Sequence, residues 1–105
     1  WKDQLGDAQK AGSSYDMFAA SATKKVNPVG EWNTARLIYN NGHVEHWLND
    51  EKVVEFEESS ADFTERYKKS KWVDYPDWNK FKSGAIALQD HGAPVYYRNI
   101  KVRAL

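Results

Sequence analysis

Cysteine is absent from the 105 residues, which excludes a disulfide framework, a Cys-bearing zinc site and a thiol nucleophile. Net charge is missing too. The 15 Lys and Arg balance 15 Asp and Glu, so the basic footprint of a nucleic-acid or anionic-membrane binder is not there. No run approaches the ~18 apolar residues of a membrane span, and the opening Trp1-Lys2-Asp3-Gln4 has no apolar signal-peptide core. The expectation is a mature soluble chain. Gly-rich phosphate loops, HExxH, EF-hand spacing and the Gly-x-Ser-x-Gly elbow are also lacking. The length fits one small domain and leaves no room for two catalytic lobes.

Aromatic residues are plentiful, with five Trp, six Tyr and four Phe. Such side chains bury enough area to offset chain entropy, so a folded core is expected rather than disorder. Residues 1–13 mix charge with Gly6, Gly12 and Ser13 and read as a loop, or as the tail of an element that begins upstream. Ser14 to Phe18 alternates polar and apolar and predicts a short strand. The stretch 19–30, closed by Asn27-Pro28-Val29-Gly30, reads as a connection.

From Glu31 the chain turns β-rich, through Trp32, Thr34, Leu37, Ile38 and Tyr39. Asn41-Gly42 follows, and then His43 to Leu48. Asn-Gly between two such runs predicts a hairpin, because both residues tolerate the positive φ of a type I′ turn. A second turn at Asn49-Asp50-Glu51 leads to a third antiparallel strand over 52–57. Ser59-Ser60-Ala61-Asp62 supplies a hydroxyl cap and an early acid for a short amphipathic helix, which carries Phe63, Tyr67 and Lys68-Lys69 and ends near Ser70. Trp72, Tyr75-Pro76 and Trp78 should pack on the sheet or rim a cleft. Strands are predicted over 85–89 and 95–102, joined by Asp90-His91-Gly92-Ala93-Pro94. This pattern is all-β and implies two packed antiparallel sheets. Five or six strands are few for a sandwich, so the chain reads as the C-terminal part, residues 1–105, of a larger one.

Several polar residues could carry chemistry. His43 and His46 form an H-x-x-H, but on a strand an odd offset sends them to opposite faces and argues against a shared metal. His46 lies with Val44 and Leu48, and is either a hydrogen-bonded half-buried histidine or a base. Glu45 and Trp47 share the other face, where a carboxylate beside an indole can grip a sugar or simply pack. Gln89-Asp90-His91-Gly92 is the densest polar cluster and sits at a strand end, a place where scaffolds mount functional groups or merely make turns. Arg98 interrupts the last strand. It could hold a ligand oxygen, mark a bulge, or pair with Asp90 or Glu55. The adjacent acids Glu57-Glu58 lack the opposed spacing of glycosidase carboxylates.

Gly30-Glu31-Trp32-Asn33-Thr34, His46-Trp47-Leu48-Asn49, Leu88-Gln89-Asp90-His91-Gly92 and Tyr97-Arg98-Asn99-Ile100-Lys101-Val102, in this order and spacing, resemble the 3-keto-disaccharide hydrolase domain family. The resemblance runs from about Gly12 to Leu105 and covers the family's C-terminal half. It departs at Asp50, where the family usually has Gly. The resemblance implies a concanavalin-like jelly-roll β-sandwich, whose upstream half, or a partner chain, would complete it. The implied substrate is a carbohydrate, a glycoside oxidised at C3, and the implied location is periplasmic or extracellular because the family is typically exported.

On that basis a base is expected from His46 or His91. Glu45, Trp47, Gln89 and Arg98 are expected at the substrate, and a divalent metal ion is conceivable although no complete ligand set shows in the sequence. The alternatives are a non-catalytic carbohydrate-binding module and a structural fragment without a ligand.

Overall fold

The computed structural model describes residues 4–105. Residues 1–3, the start of the expected N-terminal loop, lie outside the described residues. The remainder of that loop holds a 3-10 turn at Asp7–Gln9. One antiparallel sheet follows in the order β1-β2-β3, with β1 at Ala35–Asn40, β2 at His43–Leu48 and β3 at Glu51–Glu57. A helix, α1, spans Ala61–Lys69, and a 3-10 turn spans Lys71–Asp74.

Turn chemistry builds the meander. Asn41 and Gly42 have φ of 50° and 90°, the left-handed pair that a two-residue hairpin demands and that Gly42 adopts without strain. Asn49 and Asp50, at 48° and 64°, repeat the device. Asn49 also fastens the segment upstream of the sheet: its Oδ1 accepts from Thr34 N at 2.9 Å, and its Nδ2 donates to Lys25 O at 2.9 Å and Asn33 Oδ1 at 2.8 Å. The β1–β2 register is regular, from Asn40↔His43 to Ala35↔Leu48. Between β2 and β3 it shifts at His46/Trp47, so that Trp47 faces Lys52 whereas His46 faces Val54. Val53 is the extra residue of this β-bulge, which lets the neighbours Val53 and Val54 both be buried.

The bulge side of the sheet is the core side. Leu48, Val53 and Val54 pack there with Met17, Phe18, Ala20 and Phe63, and Val44 is buried on the same side. Phe18 lies flat on Phe56, with ring centroids 4.3 Å apart, and Phe63 stacks on Phe56 at 5.7 Å. Helix α1 is started by Ser60, whose Oγ accepts from Phe63 N at 3.0 Å, and its last turn is basic (Arg66, Lys68, Lys69), favourable at a helix C-terminus. The aromatic loop after α1 packs as expected. Trp78 stacks on Phe63, Tyr67 and Trp72 at 6.1, 5.5 and 5.3 Å. Gly12 comes so close to the core that a Cβ there would meet Val53 Cγ2 at 3.1 Å, and its φ of 85° also favours glycine.

Three expected strands are not formed. Ser14 to Phe18 is a tight loop closed on itself, Ser14 N donating to Phe18 O at 3.0 Å and Phe18 N to Ser14 O at 2.9 Å, with Asp16 left-handed at φ 65°. It still serves the core by delivering Met17 and Phe18. Residues 85–89 and 95–102 are exposed and have no ladder partner among the described residues. Alternation marks a segment suited to a sheet face, but a strand forms only where a neighbour accepts its backbone bonds. On the core side of β1, Leu37 and Tyr39 are likewise open to solvent. The described structure is therefore an antiparallel sheet with one small helix, and a second sheet is not among its elements.

Candidate functional site

The two sides of β2 settle which candidates share a surface. His46 is on the core side with Val44 and Leu48. It is half-buried, edge-on to Phe56 at 6.4 Å, with Nδ1 2.9 Å from the Gly12 carbonyl oxygen. A carbonyl only accepts, so Nδ1 carries the hydrogen and the lone pair of the neutral ring falls on Nε2. His43, Glu45 and Trp47 lie on the opposite side, as the odd offset requires.

On that polar side the sheet register gathers charge. Arg36 of β1 faces Trp47, with its guanidinium 4.4 Å from the indole centroid. Trp47 Nε1 donates to Glu45 Oε2 at 2.6 Å. Thr34, Arg36, Trp47 and Asp50 line a shallow hollow of about 120 Å³, which offers an apolar ring, a hydroxyl, a guanidinium and a carboxylate to an oxygen-rich ligand.

His43 is the centre of the next group along β2. Its Nδ1 meets Glu57 Oε1, and its Nε2 lies 3.1 Å from Glu45 Oε1 and 3.4 Å from Glu55 Oε1. Ionised carboxylates only accept, so both ring nitrogens donate and the ring is held as imidazolium. The Glu45 hydrogen bond, followed by that of Glu57, raises the His43 pKa above its ordinary value. In return His43, and then Trp47, lower that of Glu45. Lys52 Nζ sits 2.6 Å from Glu55 Oε2. One nitrogen of His43 and one oxygen each of Glu45 and Glu55 lie within 4.8 Å of one another.

The bulge creates this grouping. A hairpin continued without it from Leu48↔Glu51 would set Val54, not Glu55, opposite Glu45. Sequence reasoning weighed His43 only against His46 and missed its partners; the signal available was the adjacent apolar pair Val53-Val54, which a regular strand cannot bury on one side.

The remaining candidates lie in the C-terminal segment. Gln89, Asp90 and His91 are exposed. Asp90 Oδ1 accepts from Gly92 N at 3.0 Å, an Asx-type turn, and the Gln89 carbonyl accepts from Tyr97 Oη at 2.6 Å. Arg98 stacks on Trp32, its guanidinium 4.0 Å from the ring centroid, and among the described residues it makes no ion pair with Asp90 or Glu55. Thus Glu45 and Trp47 share one surface, His46 occupies the other side of their strand, Gln89 and His91 sit on a separate exposed turn, and Arg98 ties that segment to Trp32. A second open hollow of about 260 Å³ is lined by Tyr75, Pro76, Asp77 and Trp78.

Comparison with known proteins gives this surface a context. The sequence profile of the 3-keto-alpha-glucoside-1,2-lyase-like domain matches residues 2–103. A protein of Bacteroides thetaiotaomicron named 3-keto-disaccharide hydrolase is 33% identical over 107 aligned positions, covering 92% of this chain and 37% of that protein. A crystal structure from Parabacteroides distasonis, provisionally named a glycosyl hydrolase, superposes with a TM-score of 0.68 at 45% identity, covering 73% of this chain and 34% of that one. The chain thus spans little more than a third of the length of these relatives.

Proposed function

The chain belongs to the 3-keto-alpha-glucoside-1,2-lyase-like domain family, and from that premise we propose that it is part of a carbohydrate hydrolase that cleaves glycosidic bonds of 3-keto-glycosides by elimination followed by hydration. The family's name, a lyase-like domain, and that of its relative, a hydrolase, correspond to the two halves of that route. A ketone at C3 acidifies the hydrogen on C2. A base removes that proton, the electron pair forms an enolate, and the enolate expels the C1 oxygen substituent, which leaves with a proton. Water then adds to the enone at C1 and C2 regains a proton, so the net change is hydrolysis.

The observation that carries the assignment of a base is the bond from His46 Nδ1 to the Gly12 carbonyl, which fixes the tautomer with a basic Nε2. His91, exposed on the polar turn, is the second imidazole of the proposed chemistry. Gln89 and Arg98 would hold the enolate oxygen, whereas Glu45 and Trp47, on the other side of β2 from His46, do not reach the same sugar. In this reading the chain is the later part of a jelly-roll sandwich. Its open faces at Leu37, Tyr39, Ile86, Leu88 and Val102 would be covered by the other strands of the domain, and the protein would work outside the cytoplasm.

Turnover of a 3-keto-disaccharide by the intact protein tests the proposal. Activity is expected to fall steeply in the His46→Ala, His91→Ala double variant, and full activity there would remove both histidines from the mechanism. The hollow beside Trp47 favours a second reading, a non-catalytic sugar-binding module. Binding of unoxidised glycan with no turnover of the 3-keto substrate would select it.

A further inference from the structure

We propose that His43, Glu45 and Glu55 form a binding site for a first-row transition dication of the zinc type on the polar side of the sheet. The argument starts from how each side chain is held. Glu57 takes His43 Nδ1, Trp47 donates to Glu45 Oε2, and Lys52 pairs with Glu55 Oε2. Every ligand candidate therefore has one polar atom fixed by an outer partner, and the atoms left over, His43 Nε2, Glu45 Oε1 and Glu55 Oε1, converge. A carboxylate on the far nitrogen of a ligating histidine and donors on the far oxygens of ligating carboxylates are the outer arrangement that orients metal ligands.

Distance agrees with this reading. Metal bonds of ~2.0–2.2 Å in a tetrahedron place neighbouring ligand atoms roughly 3.3–3.6 Å apart. Of the separations from Nε2 to the two oxygens, that to Glu55 at 3.4 Å falls in this range and that to Glu45 at 3.1 Å lies just below it. Charge agrees as well. Glu45 and Glu55 are direct cross-strand partners, a like-charge pairing that destabilises a sheet unless a cation lies between them. Three carboxylates, Glu45, Glu55 and Glu57, surround His43, and Lys52 is the lysine paired with one of them. The β1 residue opposite His43 is the neutral Asn40, and Arg36 is engaged with Trp47, so no other cation from β1 fills the place. One imidazole nitrogen among the ligands favours zinc-like ions over magnesium or calcium, which prefer all-oxygen shells.

The site goes beyond the proposed hydrolase reading and is tested without substrate. Isothermal titration of the intact protein with Zn²⁺ should show one saturable site, and Co²⁺ in its place should give visible absorption bands. His43→Gln and Glu55→Gln should each weaken Zn²⁺ on the order of tenfold or more, with circular dichroism reporting the fold. Glu55 is half-exposed, so its near-isosteric replacement keeps the test decisive should His43→Gln unfold. Absence of saturable binding, or an affinity unchanged in Glu55→Gln, overturns the site. Neither result bears on turnover of a 3-keto-disaccharide, whose failure would in turn leave the metal measurement intact.

Discussion

Removing Phe63 and removing Leu37 should have very different consequences, although both are large apolar residues in regular elements. Phe63 is 9% exposed and stacks on Phe18, Phe56 and Trp78. Truncating a ring so enclosed costs about 3–5 kcal/mol, a large share of the roughly 5–15 kcal/mol that holds a small domain together. Leu37 is 67% exposed. Full burial of a leucine side chain is worth about 1.5–3 kcal/mol, so the third that is covered should contribute no more than about 1 kcal/mol.

Urea and thermal denaturation followed by circular dichroism read both, and Phe63→Ala should lower the melting temperature by more than about 12 °C while Leu37→Ala barely moves it. If a second sheet covers β1 in a protein of family length, Leu37→Ala there should rise to about 2–5 kcal/mol. Equal losses for the two variants in this chain would refute the placement of the core. A Leu37→Ala loss that stays below about 1 kcal/mol in the longer protein would refute the sandwich.

Other substitutions probe single contacts. Ser60→Ala removes the oxygen that accepts from Phe63 N and should cost about 1 kcal/mol in a denaturation experiment. Asp50→Gly relieves a left-handed residue at φ 64° and should stabilise by roughly 0.5–1 kcal/mol. His43 has a raised folded-state pKa, so with chelator present its stabilisation is complete below the ordinary imidazole range and is lost as pH climbs through the raised value. For Glu45, whose pKa is lowered, the contribution is present above the ordinary carboxylate range and is lost as pH falls through the lowered value. The stability difference between wild type and His43→Gln should therefore shrink as pH rises through the raised His43 value, and a difference independent of pH would contradict the imidazolium assignment.

Local chemistry made much of the structure legible. Asn41-Gly42 defined the hairpin because few residues adopt two consecutive left-handed conformations, and Ser60 defined the start of α1 because its hydroxyl satisfies an orphan N–H. The bulge at Val53 left only the faint signal of the adjacent apolar pair Val53-Val54 against a two-residue turn that normally fixes register along a whole hairpin, and with it went the meeting of His43, Glu45 and Glu55. Residues 85–89 and 95–102 carry a strand's alternation without a partner among the described residues, and sequence pattern cannot supply a partner. The motif residues of the site were visible only as neighbours along the chain. That His46 turns to the core while Glu45 and Trp47 turn away follows from which side Met17, Phe18 and Phe63 cover, a tertiary fact.

The proposed chemistry leaves an isotopic record at C2. When a 3-keto-disaccharide is turned over by the intact protein in deuterated water, elimination and hydration put a solvent-derived deuteron on C2 of the released 3-keto sugar, beyond any exchange of that sugar incubated alone. Retention of the original hydrogen at C2 throughout turnover would mean that the C1 bond is broken without removing that proton, and would contradict the account.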